Sequence, residues 1–122
     1  MHHFIAKTVI QFAGQQHDIR TAGISEDGLV LAITYRVLAA IRNLHDGVEE
    51  GVRCIVRFPK NKQHDYMLAG RAYDVEIDRA YWVGEDVFQL SVHFVDLSPL
   101  QQYHLGLCVT EVIEAFPERA SA

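Results

Sequence analysis

From residue 4 to residue 12 the chain alternates. Phe4, Ala6, Thr8, Ile10 and Phe12 fall to one side, and Ile5, Lys7, Val9 and Gln11 to the other. Successive residues of a strand point to opposite faces, so this period of two describes a strand with one face on a core. The same period returns twice. Over residues 48–58, Val52, Cys54, Val56 and Phe58 oppose Arg53, Ile55 and Arg57, and later Phe88, Leu90, Val92 and Phe94 oppose Gln89, Ser91 and His93. Shorter extended pieces cover residues 17–24 and 28–34, where Leu29, Leu31 and Ile33 share a face. One more runs over residues 66–77, interrupted by Gly70, since an interior glycine marks a bulge or a close approach of backbone. Turn chemistry separates these pieces: Ala13-Gly14-Gln15-Gln16, a polar loop at residues 59–65, and a turn over 78–86 with Gly84-Glu85-Asp86 at its tip. Short strands joined this way predict a mostly β domain, a barrel or a sandwich, because closure removes exposed sheet edges.

Two segments break the period. Val37, Leu38, Ile41 and Leu44 recur at helical spacing, with Thr34 placed to cap the start and Gly47 just past the end, which predicts a short helix over 35–45. At the other end Ser98 is a good N-cap and Pro99 suits the first helical position. Leu105, Cys108, Val109, Val112, Ile113 and Phe116 then make one apolar face opposite Glu111 and Glu114, with Gly106 loosening the segment. This C-terminal helix is expected to plug an open end or cover an edge. Residues 1–116 read as a single domain and 117–122 as a flexible tail.

The chain has 122 residues and a net charge of −5, which argues against wrapping a nucleic-acid polymer. No apolar run approaches the roughly 20 residues needed to span a bilayer, and the start lacks the pattern of a signal peptide, so the expected compartment is the cytoplasm without membrane insertion. Cys54 and Cys108 lie outside any paired motif and read as reduced, packed thiols.

Reactive groups do not assemble into a familiar centre. The histidines are scattered, with no HExxH and no Cys/His cluster, so no metal is expected. Ser25 and Ser98 have turn and cap roles, no GxSxG elbow is present, and no catalytic residue is assigned. Phosphate-binding loops of the GxxxxGK[ST] and GxGxxG types are absent. Asp74, Glu76 and Asp78 read as the solvated face of one strand, and Arg53 with Arg57 as another whose stems cover apolar surface.

The stretch between the second and third strands carries more information. Gly23-Ile24-Ser25-Glu26-Asp27-Gly28 is a polar turn in which two glycines free the backbone and Ser25 can bond it locally. It resembles the D/N-x-S-x-x-G signature of PilZ domains. Further along, Phe94-Val95-Asp96-Leu97-Ser98 is similar to the phrase that leads that family's last strand into its closing helix. Phe58-Pro59 and Gly70-Arg71-Ala72-Tyr73 fall where the family has a strand end and a glycine-containing strand. The similarity covers roughly residues 18–110, with the elements in the family's order.

The resemblance implies a six-stranded antiparallel barrel with a C-terminal helix, not an enzyme, and a candidate ligand, cyclic di-GMP. In the family an upstream R-x-x-x-R and the D/N-x-S-x-x-G strand hold that ligand: arginines serve a dianion and its guanines, the acid or amide reads guanine donors, and glycine admits close approach. Ser25 and Gly28 carry over. Position 23 is Gly where the family has Asp or Asn, and no R-x-x-x-R precedes the turn, where Arg20 is the only arginine and Lys7 the only lysine. Arg20, Gly23, Ser25 and Gly28 are therefore the candidate ligand residues of a degenerate site, with Arg20 as a substitute phosphate partner. The implied role is regulatory, through contact with a protein partner, in motility, type IV pili or biofilm control. A cyclic di-GMP receptor is the alternative, and a small enzyme or carbohydrate-binding barrel the reading from another class.

Overall fold

The computed structural model describes residues 1–60 and 67–115. Eight elements follow in order: β1 (His2–Phe12), β2 (Gln15–Ile24), β3 (Gly28–Ile33), α1 (Tyr35–Arg42), β4 (Arg53–Arg57), β5 (Ala72–Gly84), β6 (Val87–Phe94) and α2 (Pro99–Ala115). The strands close into an antiparallel barrel in the order β1-β2-β3-β6-β5-β4.

The alternation of β1 translates directly into burial. Ala6, Thr8, Ile10 and Phe12 are buried and Lys7 is exposed. Thr8 is tolerated inside because its hydroxyl lies 2.8 Å from that of buried Thr21 and donates to the Ala6 carbonyl at 3.0 Å. A two-residue turn at Ala13 and Gly14, both with positive φ (47° and 77°), joins β1 to β2. Positive φ at both central positions matches the right-handed twist of the flanking strands.

The helices leave opposite ends of the barrel. α1 follows β3, and Thr34 caps it, its hydroxyl oxygen accepting from the Val37 N–H at 3.5 Å. Val37, Leu38 and Ile41 are buried. α2 follows β6 and begins with a reciprocal cap: the Gln101 N–H donates to Ser98 Oγ at 3.1 Å, while the Ser98 N–H donates to Gln101 Oε1 at 2.9 Å. Two orphan donors are satisfied at once. Among its described side chains Leu105, Cys108, Val109 and Val112 are buried. Within the core Tyr73 touches both Phe58 and Phe94, at ring-centre distances of 6.2 and 5.4 Å.

Several boundaries differ from the sequence expectation. The helix expected over 35–45 stops at Arg42, and Leu44 is exposed, because the chain turns through Asp46 and Gly47 at positive φ. The strand expected over 48–58 shortens to Arg53–Arg57. The strand expected over 66–77 begins at Ala72, and Gly70 sits in a turn at φ +79°, its N–H donating to the Phe58 carbonyl at 2.6 Å. Residues 61–66 of that loop and strand, like Phe116 and the tail at 117–122, lie outside the described residues. The broad turn expected over 78–86 is instead strand as far as Gly84, closed by a tight turn at Glu85 and Asp86. A bulge between Ile77 and Arg79 lets β5 continue through the β-prone Tyr81-Trp82-Val83. Ile113, assigned to the buried face of α2, is exposed.

Candidate functional site

The four candidate residues do different work. Gly28 begins β3 directly opposite His93 of β6, and any β-carbon there would collide with the carbonyl oxygen of Val92. Glycine is required by backbone contact alone. Ser25 is used by its own turn. Its N–H donates to the Gly28 carbonyl at 2.9 Å, and its Oγ accepts from the N–H groups of Asp27 and Gly28, each at 3.2 Å. Gly23 is buried opposite His3, and a β-carbon there would stand 2.8 Å from Met1 Cγ, part of an unbranched side chain. Position 23 therefore presents no side chain and is covered by Met1.

Arg20 stands apart from that turn. It lies on the outer surface of β2, and its cross-strand partners are Lys7 on β1 and Ala32 on β3. Lys7 and Arg20 line an open groove of about 510 Å³, together with Asp18, Thr34, Pro59 and Asp86 among others. Gly23, Ser25 and Gly28 do not line it. The structure joins Arg20 to Lys7 and separates it from the turn. Lys7, Asp18 and Asp86 had not been singled out as partners of Arg20. The register follows from the hairpin: with the turn at Ala13 and Gly14, opposed positions sum to 27 from Phe12 back to Ala6, so 7 meets 20, before a bulge shifts the pairing to put His3 opposite Gly23.

The other charged faces are internally paired. His93 Nδ1 lies 2.7 Å from Asp78 Oδ1, and Nε2 lies 3.4 Å from Glu76. Arg53 reaches Glu76 at 3.7 Å and Asp96 at 3.6 Å, and Arg57 donates to Gln16 at 3.4 Å. Such exposed pairs are worth little in stability, but they occupy the two arginines that share a strand face. Among the described residues no group of three or more His, Cys, Asp or Glu side chains is placed to hold a metal ion. Cys54 and Cys108 are free and buried. Burial pushes their thiols up to about 12 and about 11 respectively, far from the range of a reactive thiolate. Among the described residues no helix is long and apolar enough to cross a membrane.

No family model matches the chain, and no curated protein matches it significantly in sequence. Solved structures do match. K. pneumonia MrkH in its apo state superposes with a TM-score of 0.65 at 12% identity, over 97% of this chain and 51% of that one. The PilZ domain of YcgR from Escherichia coli, solved with c-di-GMP, gives 0.61 at 14% identity, over 97% and 89%. The Bacillus subtilis inhibitor of motility MotI/DgrA gives 0.60 at 13%, over 91% and 48%. This chain thus spans about half the length of MrkH and of MotI/DgrA. Likeness at these identities establishes a shared fold, and that fold is the PilZ barrel expected from the sequence.

Proposed function

We propose that this chain is a PilZ-like regulatory or adaptor domain that acts through contact with a protein partner, without enzymatic chemistry and with weak or no cyclic di-GMP binding of its own. One observation carries the reading: the residues left from the family's signature are consumed by the fold. Ser25 serves its turn, Gly28 makes room for Val92, and Gly23 offers no side chain and lies beneath Met1. The missing acid or amide and the missing arginine pair would each have supplied charge-assisted hydrogen bonds of about 1.5–3 kcal/mol. Since about 1.4 kcal/mol is a factor of ten in affinity, losing several of them removes micromolar recognition. The solved structures with this fold support the setting: one is described as an inhibitor of motility and another was solved with c-di-GMP. Control of motility, type IV pili or biofilm in the cytoplasm is the role this chain would share.

A second reading has its own observation. Arg20 and Lys7 stand together in the groove with no carboxylate among the described residues bonded to either, which suits the phosphates of cyclic di-GMP. Calorimetric titration of cyclic di-GMP decides between them. No heat up to about a hundred micromolar ligand, a binding free energy weaker than about −5.5 kcal/mol, is the outcome expected. Saturation at low micromolar ligand that disappears in Arg20→Ala would establish a receptor instead.

A further inference from the structure

The β5–β6 hairpin outgrows the barrel. β4 pairs with β5 only as far as Glu76, and Ile77 then exchanges backbone hydrogen bonds with Gly51 and Val52. Beyond that point, among the described residues, β5 pairs with β6 alone, out to Gly84 opposite Val87. The bulge between Ile77 and Arg79 sits where the hairpin departs and switches the side-chain parity of β5. Ala80 and Trp82 thereby join Leu90 and Phe88 on the side that faces the core lower down. That apolar stripe runs off the end of the core. Leu90 is fully buried, Phe88 is half-buried against Tyr35 at a ring-centre distance of 5.9 Å, and Trp82 is 67% exposed. Tyr81, opposite Gln89 on the hairpin's other face, and Val83 and Val87 near its tip are also exposed, as is Tyr35 beside Phe88.

Exposed apolar side chains grouped like this differ from the scattered ones of any surface, and Trp and Tyr carry much of the energy of interfaces. Two of the rings are already ordered. Trp82 Nε1–H donates to the Glu85 carbonyl at 3.0 Å, and the Arg79 guanidinium lies 4.7 Å from the Tyr81 ring centre. A held ring loses less conformational freedom on binding.

The rim is acidic. Glu85 and Asp86 form the hairpin turn, with Asp86 accepting from the Tyr35 N–H at 2.8 Å. Glu50 lies on the adjoining loop. Its neighbour Glu49 is tied to Arg42 at 3.0 Å, which, with a hydrogen bond to the Ala80 backbone, holds the Glu49 carboxyl below its usual range despite partial burial. Arg42 is thus paired, and Arg79 lies against the Tyr81 ring; Arg36 and Arg79 are the cations of this surface with no bonded carboxylate among the described residues, against the carboxylates of Glu50, Glu85 and Asp86.

We propose that the β5–β6 hairpin, with Tyr35, is a docking surface for a protein segment whose apolar residues are flanked by Lys or Arg, laid along the uncovered side of β5. The acidic rim selects the basic flanks, and the strand edge beyond Ala80, whose backbone Glu49 already engages, offers backbone groups for an added strand. The inference rests on the protein-contact reading above and supplies the surface for it.

Selection of phage-displayed random twelve-residue peptides on the intact chain, followed by fluorescence anisotropy with the enriched peptides, tests it. The expected peptides combine apolar residues with Lys or Arg. They should bind about tenfold or more weakly to Trp82→Ala, severalfold more weakly to Glu85→Lys, and more weakly at high salt. Both positions are exposed, and circular dichroism confirms that the variants remain folded. Failure to enrich any peptide, or peptides that bind both variants as well as the parent, overturns the proposal. So does a dimer in sedimentation that dissociates in Trp82→Ala, which assigns the surface to a second copy of the chain. Heat with cyclic di-GMP would overturn the adaptor reading without touching this result, so the two failures are distinguishable.

Discussion

Lys7 and Arg20 stand directly opposite one another on neighbouring strands, both exposed and neither bonded to a carboxylate among the described residues. Like charges in that relationship oppose pairing of the strands, typically by a few tenths to about 1 kcal/mol. Lys7→Glu should therefore raise stability by roughly 0.5 kcal/mol at low salt, with most of the gain lost at high ionic strength. Urea unfolding at two salt concentrations measures both effects.

The two glycines flanking the Ser25 turn should respond very differently to the same substitution. At Gly28 the obstacle to a β-carbon is the backbone of Val92, which cannot yield without disturbing the β3–β6 ladder. At Gly23 it is the Met1 side chain, which can swing away. Gly28→Ala should cost at least about 3 kcal/mol, the upper part of the usual range for overpacking. Gly23→Ala should cost about 1 kcal/mol or less. Thermal melts of the two variants side by side would check this, and equal losses would contradict the packing account.

Tyr73 is buried, yet its hydroxyl has no hydrogen-bond partner among the described residues. Burial pushes its pKa up to about 12. An unpaired buried hydroxyl costs about 1–3 kcal/mol, so Tyr73→Phe should be neutral or stabilising. Tyr73→Ala should lose about 3–5 kcal/mol because the ring fills the space between Phe58 and Phe94. Denaturant midpoints for the pair separate the ring from the hydroxyl.

Raised thiol pKa values in the fold have a chemical counterpart. At pH 8 neither Cys54 nor Cys108 should react with a thiol-specific disulfide reagent while the chain is folded, since both are buried and protonated. In guanidinium both should react quickly. A rapid stoichiometric reaction of the native chain would show that one of the two is accessible.

Strand faces were the easiest part of the fold to read. Side chains packed on a barrel interior need only alternate, so the inward sets of β1, β4 and β6 could be read from period alone. Boundaries were harder, because they depend on contacts with other parts of the chain. Gly70 turns the backbone where Phe58 can accept its N–H, and no local pattern announces that bond. Likewise, the hairpin at Tyr81-Trp82-Val83 is extended because β6 lies beside it, whereas Gly84 on its own pointed to a broader loop. At the candidate site, the turn was legible from Ser25 and the glycines. The pairing of Arg20 with Lys7 required the register of a hairpin, and the cover that Met1 provides over Gly23 required coordinates.

The barrel is sealed by its thinnest joint. Among the described residues β1 meets β4 through only Val9, Ile10 and Gln11 opposite Arg57, Val56 and Ile55, whereas β1 and β2 are paired along almost their whole length. The partners in this joint are also remote along the chain, so closing it carries a loop-entropy cost that the local hairpins do not. The hairpins can therefore form first and the seam last. In the native state the same seam is the natural place for the wall to part, and amide protons there should exchange with solvent ahead of those between β1 and β2.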